Sequence, residues 1–294
     1  MSVDRNTDRA RMDEGAGVLV ATDLAPRCDR AIGRARLLAR AFGGTATAAT
    51  VLDPAHARAR GLRARGGAHW YRPPPPRVHA QQWLQREFED AAVAWDTHVD
   101  EGDPGECLSR LLDARDDPLV VTGSLRSGPF GPAMLGSTVD RLLRRDRASL
   151  LVVRERAHAP YRHLLVASDF SAPSRAALRH AHALFPEARI TLLHAVDPPM
   201  LGVAVDAQVA TPRAHPDAQG DAFLREAVPD AGRFELRVEH GDAARLVQQY
   251  VDTFAPDLVV VGSHGRSAAY EVVIGSVARR IAATSTADTL VVRG

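Results

Sequence analysis

The chain repeats itself, and the repetition constrains its fold more than any other feature. The run "GVLVATDLAPRCDRAIGRARLLARAF" from Gly17 matches "HLLVASDFSAPSRAALRHAHALF" from His163, which sets Asp23 against Asp169. Further on, "GDPGECLSRLLDARDDPLVVTGS" from Gly102 matches "GDAARLVQQYVDTFAPDLVVVGS" from Gly241, with 21 residues from the first glycine to the last in each copy. "GSTVDRLLRRDRASLLVVR" from Gly136 then matches "GSVARRIAATSTADTLVVR" from Gly275, each 13 residues beyond the preceding strand-end glycine. Spacing kept over most of the length predicts two copies of one domain, residues 16–155 and 161–294, joined near "ERAHAPYR".

Each copy alternates strand-like and helix-like segments. In the second, "HLLVASD", "RITLLHAV", "RFELRVEH", "DLVVVGS" and "TLVVRG" are short apolar or β-branched runs, and helical patterns begin near Ser171, Asp217, Asp242 and Gly275. Near-continuous Val, Leu and Ile suit strands covered on both faces, and the intervening helices make the connections parallel crossovers. The expectation is an α/β chain of two flavodoxin-like or Rossmann-like domains. Each would be a five-stranded doubly wound parallel sheet, with the pair packed about a pseudo-twofold axis. Such sheets bind ligands beyond the carboxyl ends of their strands, where the strand order reverses. Asp169, Ala195 and Gly262 would gather there.

The second copy carries a loop that bears on chemistry. In "VVVGSHGRSAAYEVVIGSVARR", Gly262, Gly265 and Gly275 are followed by Ser276 and a helical pattern. Glycines let a main chain approach an anion closely, and a helix start adds unsatisfied N–H donors. The same glycines could serve only the strand-to-helix turn. The first copy reads "GSLRSGPFGPAMLGS", with Arg126 in the place of Gly265 and with Pro129 and Pro132 withholding two N–H groups. Ala25 and Cys28 stand where the second copy has Ser171 and Ser174. The first copy is therefore expected to be degenerate as an anion site, unless Arg126 itself binds the anion.

Composition removes several function classes. All 37 basic residues are arginine, so a lysine-bearing P-loop, Schiff-base chemistry and a kinase lysine are excluded. Cys28 and Cys107 are the only cysteines and lie far apart in sequence, which leaves no CxxC motif and no zinc set. Net charge is +1, giving no general attraction to nucleic acid. No apolar run approaches membrane-spanning length and the charged N-terminus does not resemble a secretory signal, so a cytoplasmic protein is expected.

These features together resemble the universal stress protein family in its tandem form. The most specific element is the intact G-x2-G-x9-G-[ST] loop "GSHGRSAAYEVVIGS", supported by "VASDFSAPSRAAL" and "LLHAVD". The resemblance implies a stress-related role, dimerisation and ATP as the ligand of the second domain. A homodimer would form in addition to the intrachain pseudo-dimer. Carried over by position, Gly265, Gly275, Ser276 and Val277 would contact phosphates and ribose, with Val261 and Gly262 opening the loop. Arg266 would add a charge-assisted contact. Ala167 and Ala195 would line the adenine pocket, and Asp169 would lie against the ribose or a phosphate-bound Mg2+.

Other readings stay open beside these. Asp169 and Asp23 could instead organise the helices that follow them. His264 and His194 have no partner in sequence that would make them catalytic, and Ser171 and Ser174 read as helix starts. The arginine-rich, proline-rich segment 56–83 reads as a solvated loop rather than a nucleic-acid arm. The apolar stretch "PPMLGVAVDAQVATPRAHP" could cover the ligand or the other domain. Apart from a nucleotide-binding regulator, the chain could be a slow Mg-dependent ATPase or a nucleotide-free interaction scaffold.

Overall fold

The structure is a computed structural model that describes residues 17–43, 46–54, 74–115, 118–126, 133–134, 137–145, 148–196, 216–228, 234–263 and 274–293. The chain divides into two compact units, Met1–Pro160 and Tyr161–Gly294.

In unit 1 the elements run β1 (Val18–Ala21), a 3-10 turn (Pro26–Cys28), α1 (Asp29–Phe42), β2 (Ala46–Leu52), α2 (Pro76–Glu87), β3 (Trp95–Glu101), α3 (Pro104–Asp113) and β4 (Leu119–Gly123). A short antiparallel pair, β5 (Leu125–Arg126) and β6 (Ala133–Met134), follows, then α4 (Ser137–Arg145) and β7 (Leu150–Val153). The main strands are parallel in the order β7-β4-β1-β2-β3.

Unit 2 contains β8 (His163–Ser168), α5 (Ala172–Leu184), β9 (Arg189–Val196), α6 (Pro216–Ala227), β10 (Phe234–His240), α7 (Ala243–Phe254), β11 (Leu258–Gly262), α8 (Ser276–Thr284) and β12 (Asp288–Val292). Its strands are parallel in the order β10-β9-β8-β11-β12. The chain moves from β8 out to β10, returns past β8 to β11, and so reverses order between β8 and β11. Helices α5 and α6 pack together, as do α7 and α8. Right-handed crossovers place these two pairs on opposite faces of the sheet.

Burial follows from this layering. Leu164, Leu165, Val166, Ile190, Leu192, Leu258, Val259 and Val260 are all fully buried, as central strands covered on both sides must be. Each such side chain contributes about 1.5–3 kcal/mol by leaving water. The edge strand β10 is only half-buried and alternates Glu235, Arg237 and Glu239 with Leu236 and Val238, a charged edge that resists pairing with another sheet.

The repeat extends to individual backbone angles. Gly102 and Gly241 have φ of +139° and +143°, and each precedes an aspartate that caps a helix: Asp103 accepts from the N–H of Glu106, and Asp242 from that of Arg245. An arginine from the following helix pairs with each cap, Arg141 with Asp103 and Arg280 with Asp242. The Arg245 N–H and then Arg280 hold the Asp242 carboxyl below the usual carboxylate range. Leu24 and Phe170, neither of them glycine, share a φ of +59°.

The segment 56–83 departs from its expectation in part. From Pro76 onward it is helical, with Pro76 in the first turn, where its missing N–H is no loss, and with Ala80 buried. Residues 56–73 of that segment, and most of the apolar stretch that begins at Pro198, lie outside the described residues.

Gly262 ends β11 against the first turn of α5. A Cβ built there would lie 2.9 Å from the carbonyl oxygen of Pro173, 3.0 Å from its carbonyl carbon and 3.2 Å from the nitrogen of Ser174. All three are backbone atoms, which cannot swing aside. Gly123 stands against Arg27 and Cys28 in the same way, its Cβ 3.2 Å from the Arg27 carbonyl oxygen. Gly262→Ala is therefore expected to destabilise unit 2 by about 1–3 kcal/mol, read as a lowered denaturation midpoint at unchanged m-value. An unchanged midpoint would mean that β11 and α5 are not held this close.

Candidate functional site

The site is built at the carboxyl ends of β8, β9 and β11. Side chains alternate along a strand, so two contacts settle which residues face which layer. Ser168 donates its hydroxyl to Ser174 on α5 at 3.0 Å, whereas His163 meets Tyr250 on α7. Val166 thus faces the α5 layer with Ser168, and Ala167 faces the α7 and α8 layer with Leu165. Thr191, bonded to Tyr250, orients β9 likewise and turns Leu193 and Ala195 toward α7 and α8. Ala167 stands in register with Val261 across the β8–β11 ladder. Ala167 and Ala195 are half-buried and Val261 is buried, so small or modest side chains line the α8 side of the reversal point.

The chain leaves β8 through a compact polar turn. The N–H of Phe170 donates to the Ser168 hydroxyl at 3.0 Å, and the N–H of Ser171 donates to Oδ1 of Asp169 at 3.1 Å. The left-handed φ of Phe170 folds the backbone back so that both bonds close. Ser171 then caps α5 by accepting from the N–H of Ser174 at 3.3 Å. The carboxylate of Asp169 thus organises the turn, and the cap itself is Ser171. Among the described residues, no cluster of three His, Cys, Asp or Glu side chains gathers that could hold a metal ion.

His194 lies on the opposite, α5 and α6 face. Its ring stacks on Phe170 with centroids 4.1 Å apart, and Phe170 in turn meets Phe223 of α6 at 5.2 Å. Its Nδ1 sits 2.8 Å from the Ser168 carbonyl oxygen, which can only accept, so Nδ1 carries the proton. Arg175 and Arg179 of α5 fasten the last turn of α6, through Glu226 and through the carbonyls of Glu226 and Ala227. These contacts hold α6 in place and leave His194 a packing residue.

Beyond Gly262, Ser263 is buried and its carbonyl accepts from the N–H of Gly275 at 2.8 Å. That bond pins the two ends of the glycine loop together. It also spends the Gly275 N–H inside the protein, so the donors at the start of α8 begin with Ser276. Gly275 is the N-cap residue and supplies no side-chain hydrogen bond, in contrast to Ser171 and Asp242. Ser276 and Val277, both exposed, form the first turn. Gly265, Arg266 and His264 lie outside the described residues.

Unit 1 builds the same turn and uses it differently. Asp23 accepts from the N–H of Ala25 at 3.0 Å, as Asp169 does from Ser171, but it is also paired with Arg27 and bonded by the Cys28 thiol at 3.1 Å. Burial pushes the Cys28 thiol up, which makes it a weak nucleophile. Val51 occupies the register position of Ala195, one strand over from Ala21. Arg126, the counterpart of Gly265, is paired with Ala133 in the β5–β6 ladder. These are the turn contacts and paired positions that sequence reading did not find; the left-handed Leu24 and Phe170 carry no residue-type signal at all.

Residues 17–154 and 160–293 each match the family model described as the universal stress protein family. A curated relative, a universal stress protein of Mycolicibacterium smegmatis, is 33% identical over 196 residues, covering 62% of this chain and 64% of its own length, just under two thirds. A universal stress protein structure from Archaeoglobus fulgidus is similar over 94% of this chain and 98% of its own, with a TM-score of 0.66 and 14% identity. A Pseudomonas aeruginosa chain described as a universal stress protein is similar over 96% of this chain and 95% of its own, with a TM-score of 0.66 and 16% identity. At these identities the two structures support the fold. Among the described residues, no helix is long and apolar enough to cross a membrane.

The part of the Asp169 carboxylate in the turn is open to test by substitution. Asp169→Asn keeps an acceptor for the Ser171 N–H and is expected to leave stability nearly unchanged, whereas Asp169→Ala removes the acceptor and costs about 1 kcal/mol. Denaturant titration of the ligand-free proteins checks this. Equal losses in both variants would mean that the charge, and not the turn, is what the fold requires.

Proposed function

Because the chain belongs to the universal stress protein family, we propose that it is a cytoplasmic stress-response regulator whose second unit binds ATP or another adenine nucleotide. The observation that carries this reading is the start of α8. Among the described residues, its helix dipole and the N–H groups of Ser276 and Val277 receive no side-chain cap, and they open beside the strand ends where the order reverses. A phosphate group satisfies such donors without further machinery. Ala167, Ala195 and Val261 supply the apolar wall on the same face, with room left by their small side chains for a flat base. Gly265 and Arg266 would complete the phosphate loop.

The residues present fit a nucleotide better than they fit a free metal ion. Asp169 already accepts from the backbone, so Mg2+ would arrive with the phosphates and depend mainly on their oxygens. ATP, when bound, supplies a polyphosphate and a base; the protein's part is to hold them and to change shape or partner accordingly. A nucleotide-dependent change of surface, expressed through a homodimer, suits a regulator more than fast turnover does. Unit 1 is the silent copy. Arg27 already neutralises Asp23, Val51 narrows the place of Ala195, and Arg126 stands in the place of the glycine.

Calorimetric titration with Mg-ATP is expected to find one nucleotide per chain. Gly265→Arg is expected to weaken binding by about tenfold or more, equivalent to about 1.4 kcal/mol, while the fold persists. Arg126→Gly is expected to add little, because the Arg27–Asp23 pair and Val51 remain. Two nucleotides per parent chain, undiminished by Gly265→Arg, would overturn the assignment of the site.

A further inference from the structure

At the amino end of β8, remote from the strand ends just described, unit 2 buries a titratable group inside a closed hydrogen-bond set. His163 is 9% exposed. Its Nε2 lies 3.2 Å from Oγ1 of Thr191 on β9 and 3.2 Å from the hydroxyl of Tyr250 on α7, and these two hydroxyls lie 3.0 Å from each other. The other ring nitrogen, Nδ1, lies 3.1 Å from Nη2 of Arg189. A guanidinium can only donate, so Nδ1 must offer a lone pair and the proton must sit on Nε2. The contacts therefore require the neutral ring in one tautomer.

We propose that the His163 cluster is an acid-sensitive latch: a proton taken up at Nδ1 breaks the bond from Arg189, sets two cations face to face and loosens α7 from β8 and β9. The reach of the latch follows from what it joins. Tyr250 also meets Phe254, and both rings lie under Arg237 of β10, so His163, Thr191, Tyr250 and Arg237 tie three strands to one helix. Unit 1 has Gly17 at the position of His163 and lacks the device.

The charged groups around the ring set the direction of its titration. Arg189 and Arg237 oppose a further positive charge, while Asp257, which accepts from the His163 backbone N–H at 2.8 Å, and Glu235 favour one. Burial is the largest influence, and together with the arginines it lowers the His163 pKa from its ordinary 6.5. With the folded value below the unfolded one, the unfolded chain binds more protons in between. The stabilisation is complete above the ordinary histidine range and is lost as pH falls toward the folded pKa. One proton changes the opening equilibrium by at most about tenfold per pH unit.

Amide exchange of the full chain, corrected for intrinsic rates, tests this between about pH 7.5 and 5.5, the span in which a histidine of this kind changes charge. Protection of β9 and α7 is expected to fall several-fold on acidification, with β1 and α3 of unit 1 as internal reference. His163→Gln offers a donor and an acceptor but no titration, and is expected to flatten the response. The proton resonance of the His163 ring should half-titrate below the ordinary value, and Arg189→Met should raise that midpoint. A ring that titrates at or above the ordinary value, or a His163→Gln protein with the parent's acid dependence, would overturn the proposal. The ring titration and the Arg189→Met shift decide it even if His163→Gln does not fold.

Discussion

The meeting of β11 with the first turn of α5 is the contact on which the rest of unit 2 depends. A strand of fully buried valines ends in Gly262, and the absence of a Cβ lets it lie against the backbone of Pro173 and Ser174. This closeness holds β8 and β11 side by side where strand order reverses, and thereby places the Asp169 turn next to the exit of the glycine loop. Gly262 is thus explained by packing. The Ser263–Gly275 hydrogen bond closes the loop behind it and aims the start of α8 at the same place.

Two demands that share one glycine motif are in this way divided among its members. Gly262 serves the fold in both copies, since Gly123 meets the corresponding backbone in unit 1. Gly275 spends its N–H on the loop and, as N-cap, offers α8 no side-chain bond. Gly265 is the member that differs between copies, being Arg126 in unit 1, where the chain pairs in a short ladder. On the proposed reading, unit 1 would lose its ligand at that one position while keeping its architecture, because the packing glycines are untouched.

Much of this was legible in the residues. The run "RITLLHAV" is a strand from its first residue to its last, "RFELRVEH" is one from Phe234 onward, and Ser171, Asp242 and Gly275 stand at the starts of helices. Apolar period and cap chemistry are local properties, so they show in sequence. What did not show depends on partners distant along the chain. The left-handed Phe170 carries no glycine to announce it, and its stack on His194 forms only once β8 and β9 are paired. The part of Asp169 in its turn rests on a local bond from the Ser171 N–H two residues on, which the sequence allows but does not announce. His163 and Thr191 are polar interruptions in apolar strands, but their reason is Tyr250, which is 87 residues from His163.

The central claim is that one unit receives the nucleotide and the other does not, and backbone amide spectra of the full chain recorded with increasing Mg-ATP test it most directly. Saturable shifts are expected at Ser276 and Val277 and at Ala167 and Ala195, with Ala21, Val51 and Ser137 unmoved. Equal shifts at the two sets would contradict the account, as would shifts in unit 1 alone.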